Sequence, residues 1–273
     1  MISVSEKPHK TRRAIWLNKL GSTSSLYILG GIVFALLLVQ QVPASWGAKV
    51  LTSGTGLGLS GLSGSAFKGR AAVASLNIHG REYPLGALTW DINVWSLITL
   101  NPCIHLTTAL TGQSFVGDVC AGLGNRMQLK NADLALPLSV VKERLPLQVD
   151  GNLSASIVSL DMVKGRVTNV DASLRWGNAR AFNGAAWVDI GAYGATVTRG
   201  DERILAKIVS LDGPVDANLA VEFADAGGGN VNGNLIMTQD FINTTRSAGL
   251  LAMFSVAKPA ENNRIDFQVD TSF

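Results

Sequence analysis

The stretch Asn169-Val170-Asp171-Ala172-Ser173-Leu174-Arg175-Trp176 alternates polar and apolar residues without a break. A period of two puts Val170, Ala172, Leu174 and Trp176 on one face of a strand and the polar residues on the other. The same period recurs on both sides of it. In 149–157, Val149, Leu153, Ala155 and Ile157 oppose Asp150, Asn152, Ser154 and Ser156. In 87–94, Leu88, Trp90, Ile92 and Val94 oppose Thr89, Asp91 and Asn93. In 215–223, Val215, Ala217, Leu219, Val221 and Phe223 oppose Asp216, Asn218 and Glu222. Ile265, Phe267 and Val269 then oppose Asp266, Gln268 and Asp270. Strands with one buried and one wetted face belong to antiparallel sheets. The fold class is therefore mainly β, with a curved, largely antiparallel sheet.

Glycine turns separate these runs, at His79-Gly80-Arg81, Lys164-Gly165-Arg166, Arg199-Gly200-Asp201 and Asp212-Gly213-Pro214. Two short helices are expected among the strands. Pro137 opens LSVVKERL and Pro146 stops it; the second helix spans Thr245 to Ala257, closed by Lys258-Pro259. Cys103 and Cys120 flank a turn signal at Thr111-Gly112-Gln113-Ser114. Folding the run at Gly112 brings them together, which fits a cross-strand disulfide in an oxidising compartment. Two free buried thiols are the other reading. An internal echo is also visible. Leu88-Thr89-Trp90 is similar to Leu174-Arg175-Trp176, and Asp150-Gly151-Asn152-Leu153 to Asn232-Gly233-Asn234-Leu235. Two similar sheet units, or chance likeness among Gly-rich strands, would give this pattern.

Ahead of the sheet the composition changes. Residues 43–64 are rich in Gly and Ser and read as a flexible linker to a domain over 65–273. Gly56, Gly58 and Gly61 satisfy G-x-G-x-x-G, but a strand should follow them, where a dinucleotide site needs a helix. Before the linker, Leu26 to Val42 (LYILGGIVFALLLVQQV) contains no charged residue. As a helix it would reach about 25 Å, the short end of a bilayer core. Lys7, Lys10, Arg12, Arg13 and Lys19 precede it against Glu6 alone, which keeps the tail 1–25 in the cytoplasm. The expectation is a single-pass anchor over 26–42 with the main domain across the membrane. A cleaved signal peptide is the rival, with a shorter apolar core as a rule. Gly31 and Ala35 form a small-xxx-small pair on which another helix could close.

The net charge of +3 resides in the tail, so the exported part is near neutral. That argues against a nucleic-acid partner. The three histidines are scattered, and no G-x-S-x-G, H-E-x-x-H, S-x-x-K or P-loop is present. The sequence gives no reason to expect an enzyme, a cofactor or a metal.

The order of several weak motifs resembles the type II secretion system protein N family. These are Ser63-Gly64 with Gly69, the Leu-x-Trp strand at Leu88-Thr89-Trp90, and the Pro-bounded segment 137–146. Gly151-Asn152-Leu153, Leu174-Arg175-Trp176, Leu211-Asp212-Gly213-Pro214 and Gly233-Asn234-Leu235 follow. The resemblance implies a non-enzymatic accessory component with an inner-membrane anchor and a periplasmic β domain. Its implied partners are other secretion components of the inner membrane and periplasm. A second reading is a lipid-binding or lipid-transfer module, with an apolar face similar to the grooves of AsmA-like envelope proteins. Trp90, Leu153, Ile157, Leu174 and Trp176 would line that groove, unless the face is packed core. A third is an outer-membrane barrel ending at Phe273, disfavoured by aromatic residues at only 7%.

Overall fold

A computed structural model describes residues 26–31, 33, 34, 41–78, 80–93, 96, 101–140, 148–225, 227–247, 251, 255–260 and 263–272. Among these residues, fourteen strands form one sheet. They are β1 Leu57–Gly64, β2 Lys68–Ile78, β3 Arg81–Ile92, β4 Cys103–Leu110, β5 Gln113–Gly122, β6 Arg126–Pro137 and β7 Val149–Val163. There follow β8 Arg166–Phe182, β9 Trp187–Arg199, β10 Arg203–Asp212, β11 Val215–Ala224, β12 Gly229–Thr238, β13 Ser255–Ala260 and β14 Arg264–Ser272. Neighbours in the chain are neighbours in the sheet as far as β12; β14 then pairs with β12 and β13 lies outermost. Every pairing is antiparallel. The ends, β1 and β13, do not pair, so the sheet is open and not a closed barrel.

The register carries the period of two across the strands. One row runs Leu134, Ala155, Leu174, Ala195, Ile208, Leu219 from β6 to β11. A second runs Leu136, Leu153, Trp176, Tyr193, and a third Ala132, Ile157, Ala172, Val197, Ala206. The opposite face carries Asp133, Ser156, Ser173, Thr196, Lys207 and, beside them, Ala135, Ser154, Arg175, Gly194, Val209. A slip of one residue would exchange the two faces, so the apolar rows hold the register.

Helices cover the apolar face at its two ends. Helix α1, Ala44–Thr52, packs Ala44 against Ala71, Ala74, Leu88 and Trp90. Helix α2, Gln239–Thr245, brings Ile242 onto Val215, Met237 and Phe267, joined by Leu251. Thr238 caps α2 by accepting from the Phe241 N–H at 3.2 Å. Between the ends, Ala179, Tyr193 and Ala217 make a smaller cluster with Trp176.

The structure departs from the sequence reading in three places. Residues 43–64 are not a featureless linker: they hold α1 and β1. Backbone pairing of β1 to β2 supplies what the weak strand propensity of Gly and Ser does not. Pro137 closes β6, and Leu138–Val140 is one 3-10 turn; residues 141–145 of the expected helix lie outside the described residues. A short helix not expected from the sequence, Gln239–Thr245, precedes the expected one; of the expected helix over 245–257, Leu251 is helical, 248–250 and 252–254 lie outside the described residues, and 255–257 are strand. Lys258 and Pro259 sit inside edge strand β13, where a proline's missing N–H costs nothing.

Of the expected anchor, residues 26–31, 33 and 34 are helical and 32 and 35–40 lie outside the described residues. Among the described residues no helix is long and apolar enough to cross a membrane.

Candidate functional site

The two cysteines meet as expected. Strands β4 and β5 form a hairpin in which Cys103 and Cys120 are direct partners. They are disulfide-bonded, with Cα atoms 4.0 Å apart. On the wetted face beside them, cross-strand register sets Asp91, His105, Asp118 and Lys130 in a row. Lys68 pairs with Asp91 at 3.0 Å, and His105 Nδ1 lies 2.7 Å from Asp118 Oδ1. The row, with Lys68, takes one residue from each of five neighbouring strands.

The five residues expected to line an apolar groove separate into two groups. Leu153 faces Trp176 across β7 and β8, with Leu174 two residues and Ile157 four residues along the same face. All four are half-buried. Trp90 shares the face but is 2% exposed, beneath α1. A cavity of about 350 Å³ lies on this face between the groups, lined by Leu76, Tyr83, Phe115, Leu134, Leu136 and Val140 among others.

Both tryptophans are held by one device. Trp90 lies over Gly69 on the next strand, where a Cβ would run into its ring. Its Nε1 donates to the Ala66 carbonyl at 3.0 Å. Trp176 lies over Gly151, where a Cβ would come within 2.6 Å of the indole nitrogen, and its Nε1 donates to the Asp150 carbonyl at 3.1 Å. The two tryptophans thus sit in like surroundings. Tyr193 stacks at a tilt on Trp176, 5.8 Å between ring centroids, and its hydroxyl donates to the Ile190 carbonyl at 2.7 Å. Burial, helped by Asp189 and Asp216, pushes its phenol up to about 12.

The larger cavity, about 780 Å³, is on the other face. Ser154, Ser156, Ser173 and Thr196 supply hydroxyls there, with Asp133, Arg175 and Lys207 around them. The arrangement can hydrogen-bond a polar surface but aims no activated nucleophile at it. Sequence reasoning passed over it by treating the polar half of each alternation as merely wet. The signal was present in the serines of 154–156 and 173. Among the described residues no group of three or more His, Cys, Asp or Glu is placed to hold a metal ion. Gly31 is helical with open space around it, and Ala35 lies outside the described residues. Nearby, Trp46 on α1 is 68% exposed, an exposure the sequence did not foretell.

Residues 55–259, well over half of the chain, match the family described as type II secretion system (T2SS), protein N. No curated protein and no solved structure matches.

Proposed function

Because the chain belongs to the type II secretion system protein N family, we propose that it is a non-enzymatic accessory component of that machine, anchored in the inner membrane. Its sheet stands in the periplasm and acts by contact with other secretion components during protein export across the outer membrane. The family match is the observation that carries this reading, since it runs from the start of β1 into β13.

Physical features support each part. The basic tail followed by uncharged residues 26–42 suits a single-pass, N-in topology. Exposed Trp46 just beyond that segment suits the membrane interface, where indole rings concentrate. The disulfide suits an oxidising compartment such as the periplasm. An open sheet offers backbone groups at its edges for β-addition, a common way of recruiting extended segments. The helix pair Gly31 and Ala35 offers a second contact, inside the bilayer. Affinity capture of the full chain from detergent-solubilised membranes should recover other secretion components. Capture of the intact chain with none of them would count against the proposal.

A second reading is favoured by the cavity under the apolar face. Leu134 and Leu136 line it, half-buried Leu153 pairs with Leu136 on the neighbouring strand, and together they could seat acyl chains. Mass spectrometry of the purified full chain should then find bound lipid in stoichiometric amount; lipid at detergent-exchange background would remove this reading.

A further inference from the structure

Antiparallel strands give the sheet two opposite ends, and the chain enters at one of them. Pro43 bridges Ser65 in the turn between β1 and β2, and the Ala66 N–H donates to the Val42 carbonyl at 2.8 Å. The uncharged segment 26–42 therefore finishes at the end that also holds the β5–β6 and β7–β8 turns. In the β5–β6 turn Leu123 is 78% exposed, and Met127, just inside β6, is 55% exposed. The turn Lys164-Gly165 stands beside it: the Lys164 N–H donates to the Asn125 carbonyl at 3.0 Å. Register then sets Arg126, Val163 and Arg166 in one row across β6, β7 and β8. Arg126, Lys164 and Arg166 are all exposed. Among the described residues neither Arg126 nor Lys164 has an ion-pair partner. Arg166 acts on Asp225, which Arg199 already holds through both guanidinium arms. Asp161, on the neighbouring stretch of β7, accepts from Gln128.

We infer that this corner of the sheet, Leu123 and Met127 with Arg126, Lys164 and Arg166, rests on a bilayer surface that carries anionic headgroups. The inference rests on the reading of 26–42 as a membrane anchor. An apolar tip ringed by cations matches the layering of such a surface: the tip enters the acyl boundary while the long basic side chains stay among the headgroups. The exported part of the chain is near neutral, so this excess of cations belongs to the corner and not to the domain at large. Farther along the same end the β9–β10 turn carries Asp201 and Glu202, which an anionic surface would repel. Contact is thereby confined to the β5–β8 corner. A protein partner would need a pocket to seat a tip as bare as Leu123, whereas a bilayer needs none. A second copy would set like charges against each other. Docked at the anchor and again at this corner, the sheet is held down on the membrane at two points.

The test places an apolar fluorophore on the full chain through Leu123→Cys, since Cys103 and Cys120 are bonded to each other and leave no free thiol. The labelled chain is reconstituted into vesicles of equal parts phosphatidylcholine and phosphatidylglycerol that contain a nitroxide-bearing lipid as quencher. The probe at 123 should be strongly quenched, and a probe placed through Thr111→Cys, at the opposite end of the same hairpin strands, should not. Pure phosphatidylcholine should largely release the quenching at 123. Each lost cation should weaken docking about fivefold. Arg126→Gln with Lys164→Asn should therefore lower the ratio of docked to undocked chain about 25-fold; asparagine accepts the φ of 51° at position 164. Three results would overturn the inference: no more quenching at 123 than at 111, equal quenching in neutral and anionic vesicles, or quenching that ignores the double variant. An unquenched probe at 123 together with a crosslink from that position to an acidic protein in cells would make a protein the occupant, and would overturn it as well. Retention of the chain by vesicles through an alkaline wash tests the anchor separately. A retained chain with an unquenched tip sinks only the docking, and a chain washed off yet quenched at 123 beforehand sinks only the anchor.

Discussion

Trp90 and Trp176 show how single residues fix this sheet. Each ring needs a glycine beneath it and a backbone carbonyl beside its N–H, and each finds both on the preceding strand or turn. Trp90→Ala should cost about 3–5 kcal/mol, the usual range for emptying a buried aromatic site. Denaturant unfolding measures it. A cost below 1 kcal/mol would mean that the cluster under α1 collapses without loss. Replacing both cysteines with serine opens a loop with a sequence separation of 17, and the entropic model puts the loss at about 3 kcal/mol. The same loss should appear in the unaltered protein on adding reductant, and the two should not add. Tyr193 gives a pH signature. Its phenol is raised in the folded state from 10.0 to about 12. Folding therefore favours the protonated form. That stability is complete below pH 10 and lost as pH climbs toward 12. Tyr193→Phe should flatten this part of the stability curve, and an unchanged curve would show that the hydroxyl is not in the packed site.

At the scale of elements, how well a segment could be read depended on how its stability arises. Strands β7, β8 and β11 were legible because their own side chains alternate, and burial of one face follows from that alone. The hairpin β4–β5 was legible from its turn and cysteines. Strand β1 was not. Glycine and serine give it no propensity, and its structure comes from β2, a partner that a local reading cannot weigh. Helix α2 was not read from the sequence because Gln239, Asn243, Thr244 and Thr245 make a poor apolar stripe. Its position is set by the Thr238 cap and by Ile242 falling on Met237 and Phe267. Thr238→Ala should therefore destabilise by about 1 kcal/mol, read from thermal unfolding. The candidate site divided the same way. The apolar row of Leu153, Ile157, Leu174 and Trp176 was visible, but the cavity among Ser154, Ser156, Ser173 and Thr196 arises only when the register lays the polar residues of β7, β8 and β9 side by side.

At the scale of the molecule, the described residues form one open sheet of fourteen strands. Its apolar face is covered at the two ends by short helices, and its polar face is tied by pairs such as Lys68 with Asp91 and Arg203 with Glu222. Such a surface suits a protein held in place to touch others, and membership of the secretion family points the same way. Position and contact can be tested together. A membrane-impermeant crosslinker applied to cells with a permeable outer membrane should label the sheet domain and join the full chain to another type II secretion component. A chain that stays unlabelled in intact spheroplasts and reacts only after lysis, or that reacts without joining any secretion component, would contradict the account.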